Sequence, residues 1–171
     1  MFRHIIGKKE LIMIGLAVAI ILFNFVAFRT NRRLKPNRIV HIWIFTIAFQ
    51  QLFDTIIELK YYGYWYFDKE VDWAGLIPHL ILIPPVNMMF LNWYPFSKKI
   101  LNQATYIFIW VIAILLYEAI TLLPRPWGYF QYGWWNLWLS AALDPILLLI
   151  LLQYYKWICK VEIMSKKKII H

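Results

Sequence analysis

Five stretches of the chain run for 18 to 24 residues with few or no charges: Leu11–Phe28, Ile39–Leu59, Ala74–Phe96, Leu101–Leu123 and Trp134–Trp157. At 1.5 Å rise per residue, an 18-residue helix reaches about 27 Å, enough to cross the hydrocarbon core of a bilayer. Within hydrocarbon every backbone N–H and C=O must be satisfied internally, which leaves helices as the form open to runs of this kind. The expected fold is therefore an all-α integral membrane bundle of five transmembrane helices, one domain over residues 1–171. Composition agrees: 62% of residues are apolar and 16% charged, against roughly 45–50% and 25% in soluble domains. Arg29, Arg32, Arg33, Lys35 and Arg38 follow the first run directly, and no A-x-A site closes it. It reads as a retained span and not a cleaved signal peptide.

The net charge of +9 comes from short basic clusters between the runs. Such clusters set topology and meet anionic headgroups, so the expected partner is the lipid bilayer of the cell membrane and not nucleic acid. Twelve Lys and Arg fall on the side of the first loop, Lys98–Lys99 and the C-terminal segment, and six on the other. The richer side is expected to be cytoplasmic, with the N-terminus outside. The basic tail of Arg3, Lys8 and Lys9 opposes this assignment. Cys159 is the single cysteine, so no intrachain disulfide can form.

The stretch most informative about function is Leu115–Pro145. It carries Glu118 near the end of one apolar run and Asp144 inside the next, separated by a rim of proline, glycine and aromatic residues. A charge at the middle of a lipid-facing helix costs ~2.5–3.5 kcal/mol, so these acids are expected to face protein, water or a ligand. Asp54 and Glu58 share a face of the second span with Gln50 and Gln51, and the third contributes His79 and Asn87. No Lys or Arg lies deep inside a span to neutralise them.

The expected polar pocket therefore comprises Asp54, Glu118, Asp144, His79, Gln50 and Asn87, with an outer aromatic rim of Tyr64, Trp65, Trp127 and Trp134. Plainer roles compete. Glu58, beside Lys60, is assigned to the interface; Gln50, Gln51, Asn87, Asn136 and Ser140 suit interhelical hydrogen bonds. His79, just after Pro78, suits capping or packing better than metal ligation.

No metal, cofactor or catalytic residue is expected. Asp54, Glu58, His79, Glu118 and Asp144 offer oxygen and imidazole donors, but without diagnostic spacing. No nucleotide-binding, zinc-protease or nucleophile-elbow motif is present. Pro84-Pro85 frees the carbonyls of Leu80 and Ile81, and Pro145 that of Ala141, for other partners. Asp54 before Gly63-Tyr64 and Glu118 before Gly128-Tyr129 form an internal echo, open to two readings, a duplicated hairpin or compositional likeness.

Four stretches carry a family resemblance: FQQLFD (Phe49–Asp54), GYWYF (Gly63–Phe67), LIPPVNMMFLNWYPF (Leu82–Phe96) and LYEAITLLPRPWGYFQYGWWNLW (Leu116–Trp138). Through them the chain resembles a family of small polytopic membrane proteins of spore-forming Gram-positive bacteria. That resemblance implies membrane placement and carries over no catalytic residue. A fainter likeness is to the membrane lycopene cyclase domain, in which a G-x-W-x-F stretch precedes a proline followed by acids. Gly63, Trp65, Phe67 and Pro78 match, while His79 and Leu80 stand where the acids would be.

The expected function is a non-enzymatic binding or transport component, or a subunit of a membrane assembly, acting as a homo-oligomer or beside another membrane protein. The alternative is an enzyme acting on an isoprenoid or lipid, with Glu118 or Asp144 as general acid.

Overall fold

A computed structural model describes residues 2–67, 69, 73–124 and 126–169, with backbone alone for 2–13, 73 and 167–169. The side chains of Arg3, Lys8, Lys9, Arg125, Lys167 and Lys168, which carry part of the expected charge asymmetry, lie outside the described residues.

The fold is all-α, with five helical rods. Helix α1 covers Phe2–Thr30 and α2 covers Pro36–Asp54, the latter continued by a π-helical turn, Thr55–Lys60. The third rod is composite: α3, Trp73–Ile77, then a π-helical turn Pro78–Leu82, then α4, Ile83–Trp93. Helix α5 spans Ile100–Thr121 and α6 Leu137–Ile169. Among the described residues, four segments are long and apolar enough to cross a membrane: Pro36–Lys60, Ala74–Trp93, Ile100–Thr121 and Leu137–Lys166. The apolar part of α1 with described side chains, Ile14–Thr30, is shorter.

Helix α4 is the central element, packed on α1, α2 and α6, with α5 against α6. Met88, Phe90 and Leu91 are fully buried and join Ile42, Leu148, Leu151, Leu152 and Tyr155 in the main core. Around this core the outward surface is itself apolar: Ile44, Leu52, Phe108, Ile109, Leu116 and Leu149 are all exposed. Water-soluble monomers rarely leave so much apolar surface uncovered, and a bilayer covers it.

Proline explains the broken third rod. Pro78, Pro84 and Pro85 each remove a helical donor. The Ile81 carbonyl freed by Pro85 accepts a 2.9 Å hydrogen bond from Asn24 Nδ2 on α1. Further polar ties link the rods: Asn87 Nδ2 donates to Thr46 Oγ1 at 2.9 Å, and Tyr106 Oη to the Phe90 carbonyl at 2.9 Å.

At the basic end of the bundle, buried Asn92 does the joining. Its Oδ1 accepts from the backbone N–H of Arg32 and Arg33, both at 3.1 Å, and its Nδ2 donates to the Thr30 carbonyl at 2.9 Å. Nearby, Arg38 pairs with Glu162 of α6 at 2.8 Å.

At the opposite end the two aromatic loops are not featureless rims. Strand β1, Tyr64–Tyr66, pairs antiparallel with β2, Phe130–Tyr132, in the register Tyr64↔Tyr132, Trp65↔Gln131 and Tyr66↔Phe130. Phe67 leaves β1 at φ 56° and donates its N–H to the Tyr129 carbonyl at 2.9 Å. Tyr129 N–H in turn reaches back to the Thr121 carbonyl at 2.9 Å, so the second loop folds over the end of α5.

Candidate functional site

The two-stranded ribbon closes one end of the bundle, and each strand sends a tyrosine back to the acid near the end of the helix before it. Tyr64 Oη donates to Asp54 Oδ1, and Tyr132 Oη to Glu118 Oε1. Because Tyr64 and Tyr132 are register partners, the ribbon couples two acidic sites carried by separate hydrophobic segments.

The first site surrounds Glu118 and Asp144. Trp135 Nε1, a donor only, gives its hydrogen to Ser140 Oγ at 2.9 Å, leaving the Ser140 hydroxyl to donate to Glu118 Oε1 at 2.7 Å. Glu118 Oε1 thus accepts from two hydroxyls, one from the ribbon and one from α6. Asp144, one turn beyond Ser140 on α6, has a buried Oδ2 without a hydrogen-bond partner among the described residues.

Both acids line a cavity of about 540 Å³ inside the bundle. Its wall is largely aromatic and aliphatic, including Phe45, Phe49, Trp93, Trp110, Tyr117 and Leu151. Volume and lining suit a small ligand with an apolar body and a few fixed polar contacts.

The second site lies behind the cavity wall. Asp54 and His79 are buried, at 3% and 2% exposure, and neither borders the cavity. Tyr64 and Tyr66 do, Tyr64 through its bond to Asp54 and Tyr66 edge-on to the His79 ring at 4.8 Å between centroids. Asp54 Oδ1 also accepts from Gln50 Nε2 at 3.2 Å. Glu58 turns toward this site and not to the interface beside Lys60. Its Oε1 accepts from Tyr66 N–H at 3.4 Å, while Lys60 Nζ lies over the Tyr61 ring.

Of the six residues expected in one polar pocket, Gln50, Asn87, Glu118 and Asp144 line the cavity, and Asp54 and His79 form the separate site. Of the expected rim, Trp127 and Trp134 are exposed at the ribbon end, and Trp65 is half-buried. Tyr64 is buried and works as a hydrogen-bond donor inside. Tyr132, Ser140 and Trp135, absent from the expected set, complete the Glu118 site. The signal available for Ser140 was its spacing of four residues from both Asn136 and Asp144.

Burial, reinforced by the neighbouring acid at Tyr64, Tyr66 and Tyr132 and by Tyr117 at Tyr129, raises all four phenols well above their usual range. They remain neutral donors throughout the physiological range. Their folded values exceed the unfolded value near 10, so the stability they contribute is complete below about pH 10 and lost as pH rises beyond it. Each of the well-buried phenols Tyr64, Tyr66 and Tyr129 should then remove up to ~1.4 kcal/mol per pH unit. A phenolate absorbance titration should show these tyrosines ionising late and together with unfolding; smooth ionisation of all tyrosines near pH 10 would contradict this.

Compared with known proteins, the chain matches no family model, no curated protein and no solved structure.

Proposed function

We propose that the chain is a multi-pass protein of the cell membrane, a non-enzymatic binding or transport component whose cavity takes a lipophilic cation, such as an amine on an apolar body. The observation that carries this reading is the pair Glu118 and Asp144 on one aromatic-lined cavity, with a buried, unpartnered Asp144 oxygen. Among the described residues no Lys or Arg forms an ion pair with either acid. A cationic head supplies the missing positive charge, and aromatic faces such as Trp110 and Trp135 favour it further. Glu118, its Oε1 held by two hydroxyl donors, serves in this reading as the anionic contact. In our reading the basic end is cytoplasmic and the ribbon end lies outside. The link between Arg38 and Glu162, which places the first basic loop beside the C-terminal part of α6, supports that orientation. The likeness of Phe49–Asp54 and the other three stretches to small polytopic bacterial proteins, read from the sequence, agrees with membrane placement.

The test compares dodecylamine with dodecanol on the purified protein in lipid nanodiscs by calorimetry, with protein-free nanodiscs correcting for partitioning. Saturable binding of one amine per chain, at least about tenfold tighter than the alcohol, is the expected result. Equal, unsaturable uptake of both would overturn the proposal.

A further inference from the structure

Asp54, Glu58 and His79 converge from the end of α2, its π-helical extension and the π-helical turn before α4. One donor atom from each lies within 4.8 Å of the others. His79 Nε2 is 2.9 Å from Asp54 Oδ2, with both side chains at 5% exposure or less. Yet among the described residues neither atom has an aligned hydrogen bond, and His79 Nδ1 has no partner either. Two groups at hydrogen-bond distance that do not point along a shared hydrogen behave as though both aim at a third position.

We propose that this position is a site for a divalent transition-metal ion of the zinc, manganese or iron(II) class. Metal–donor bonds of about 2.0–2.2 Å place adjacent ligand atoms about 3 Å apart, matching the separation of Asp54 and His79. Two carboxylates balance a doubly charged ion, and the imidazole selects against magnesium and calcium, which prefer all-oxygen sites. Tyr64 and Gln50, donating to the other Asp54 oxygen, orient the carboxylate as outer partners of metal ligands do. The ion would join α2, the ribbon and the third rod behind the cavity wall. This inference does not depend on the ligand assigned to the cavity.

The experiment strips the purified protein with EDTA and titrates it with cobalt(II) or manganese(II) alone. The expected result is one ion per chain, with cobalt absorption bands of a low-symmetry site and a histidine-nitrogen coupling in the pulsed EPR spectrum of the manganese form. His79→Gln should remove the nitrogen coupling, and Glu58→Gln, at the half-buried member, should weaken binding at least about tenfold. Where a variant fails to fold, the wild-type spectrum decides. No stoichiometric uptake by the wild type, or uptake without nitrogen coupling, would overturn the site. So would binding that survives both substitutions, which would place the ion on another histidine.

Discussion

Replacing Glu118 with Gln and Asp144 with Asn together should reduce binding of a lipophilic amine by at least about 100-fold, close to 3 kcal/mol. Both substitutions keep shape and hydrogen-bonding capacity. The amide introduced by Glu118→Gln retains an oxygen to accept from Tyr132 and Ser140, so the ribbon and the start of α6 keep their ties to α5. What disappears is the negative charge facing the cavity, and a buried cation left without its partner is strongly unfavourable. The protein should therefore stay folded, with its thermal midpoint little changed, while amine affinity falls and dodecanol uptake does not. Calorimetry on the double variant beside the wild type checks this. Parallel loss of amine binding and of folding would reassign the two acids to architecture.

The second large effect is structural. Gly128→Ala should destabilise the bundle by more than about 3 kcal/mol. A Cβ there would overlap the Leu123 carbonyl oxygen and stand 2.9 Å from that of Thr121, both backbone atoms that no side-chain rotation can move. Gly128 has no unusual φ; the constraint is close approach, where the loop folds over the end of α5 so that Tyr129 can bond Thr121. Relieving the clash unseats Tyr129 and with it the strand carrying Tyr132. Gly75→Ala is the comparison. Its Cβ would meet Tyr66 Cβ at an ordinary 3.7 Å, so thermal unfolding should shift little there. Equal behaviour of the two variants would contradict the packing described for the ribbon end.

The rods are legible in the sequence because apolar runs of 18 residues or more with few or no charges are a strong local signal. Their ends are legible only where a breaker stands. Pro95 ends α4 before Phe96, and Asn136 delays α6 to Leu137 by capping it: its Oδ1 accepts from Trp138 and Leu139 N–H, both at 3.1 Å. The ribbon is not legible. Its strands are three residues long and 64 to 68 positions apart in register, so no local period announces them. Tyr, Trp and Phe flanked by glycine fit a membrane rim as well as a strand. That ambiguity assigns Tyr64 to the surface by sequence, whereas its hydroxyl lies buried on Asp54. Adjacent Lys60 draws Glu58 to the interface on paper, but Lys60 stacks on Tyr61 and leaves Glu58 to the interior. Asn92 gives no warning at all, because one amide in an apolar run cannot reveal three backbone partners about 60 residues away.

Acids from α5 and α6 facing a ligand inside the bundle are the centre of this account. The most direct measurement is photolabelling of the protein in nanodiscs with a lipophilic amine bearing a diazirine on its chain, followed by peptide sequencing. Adducts on cavity residues such as Tyr117, Leu147, Leu148 and Leu151, competed away by dodecylamine, are the predicted result. Adducts confined to outward side chains such as Phe108, Ile109, Ile146 and Leu149 would contradict it.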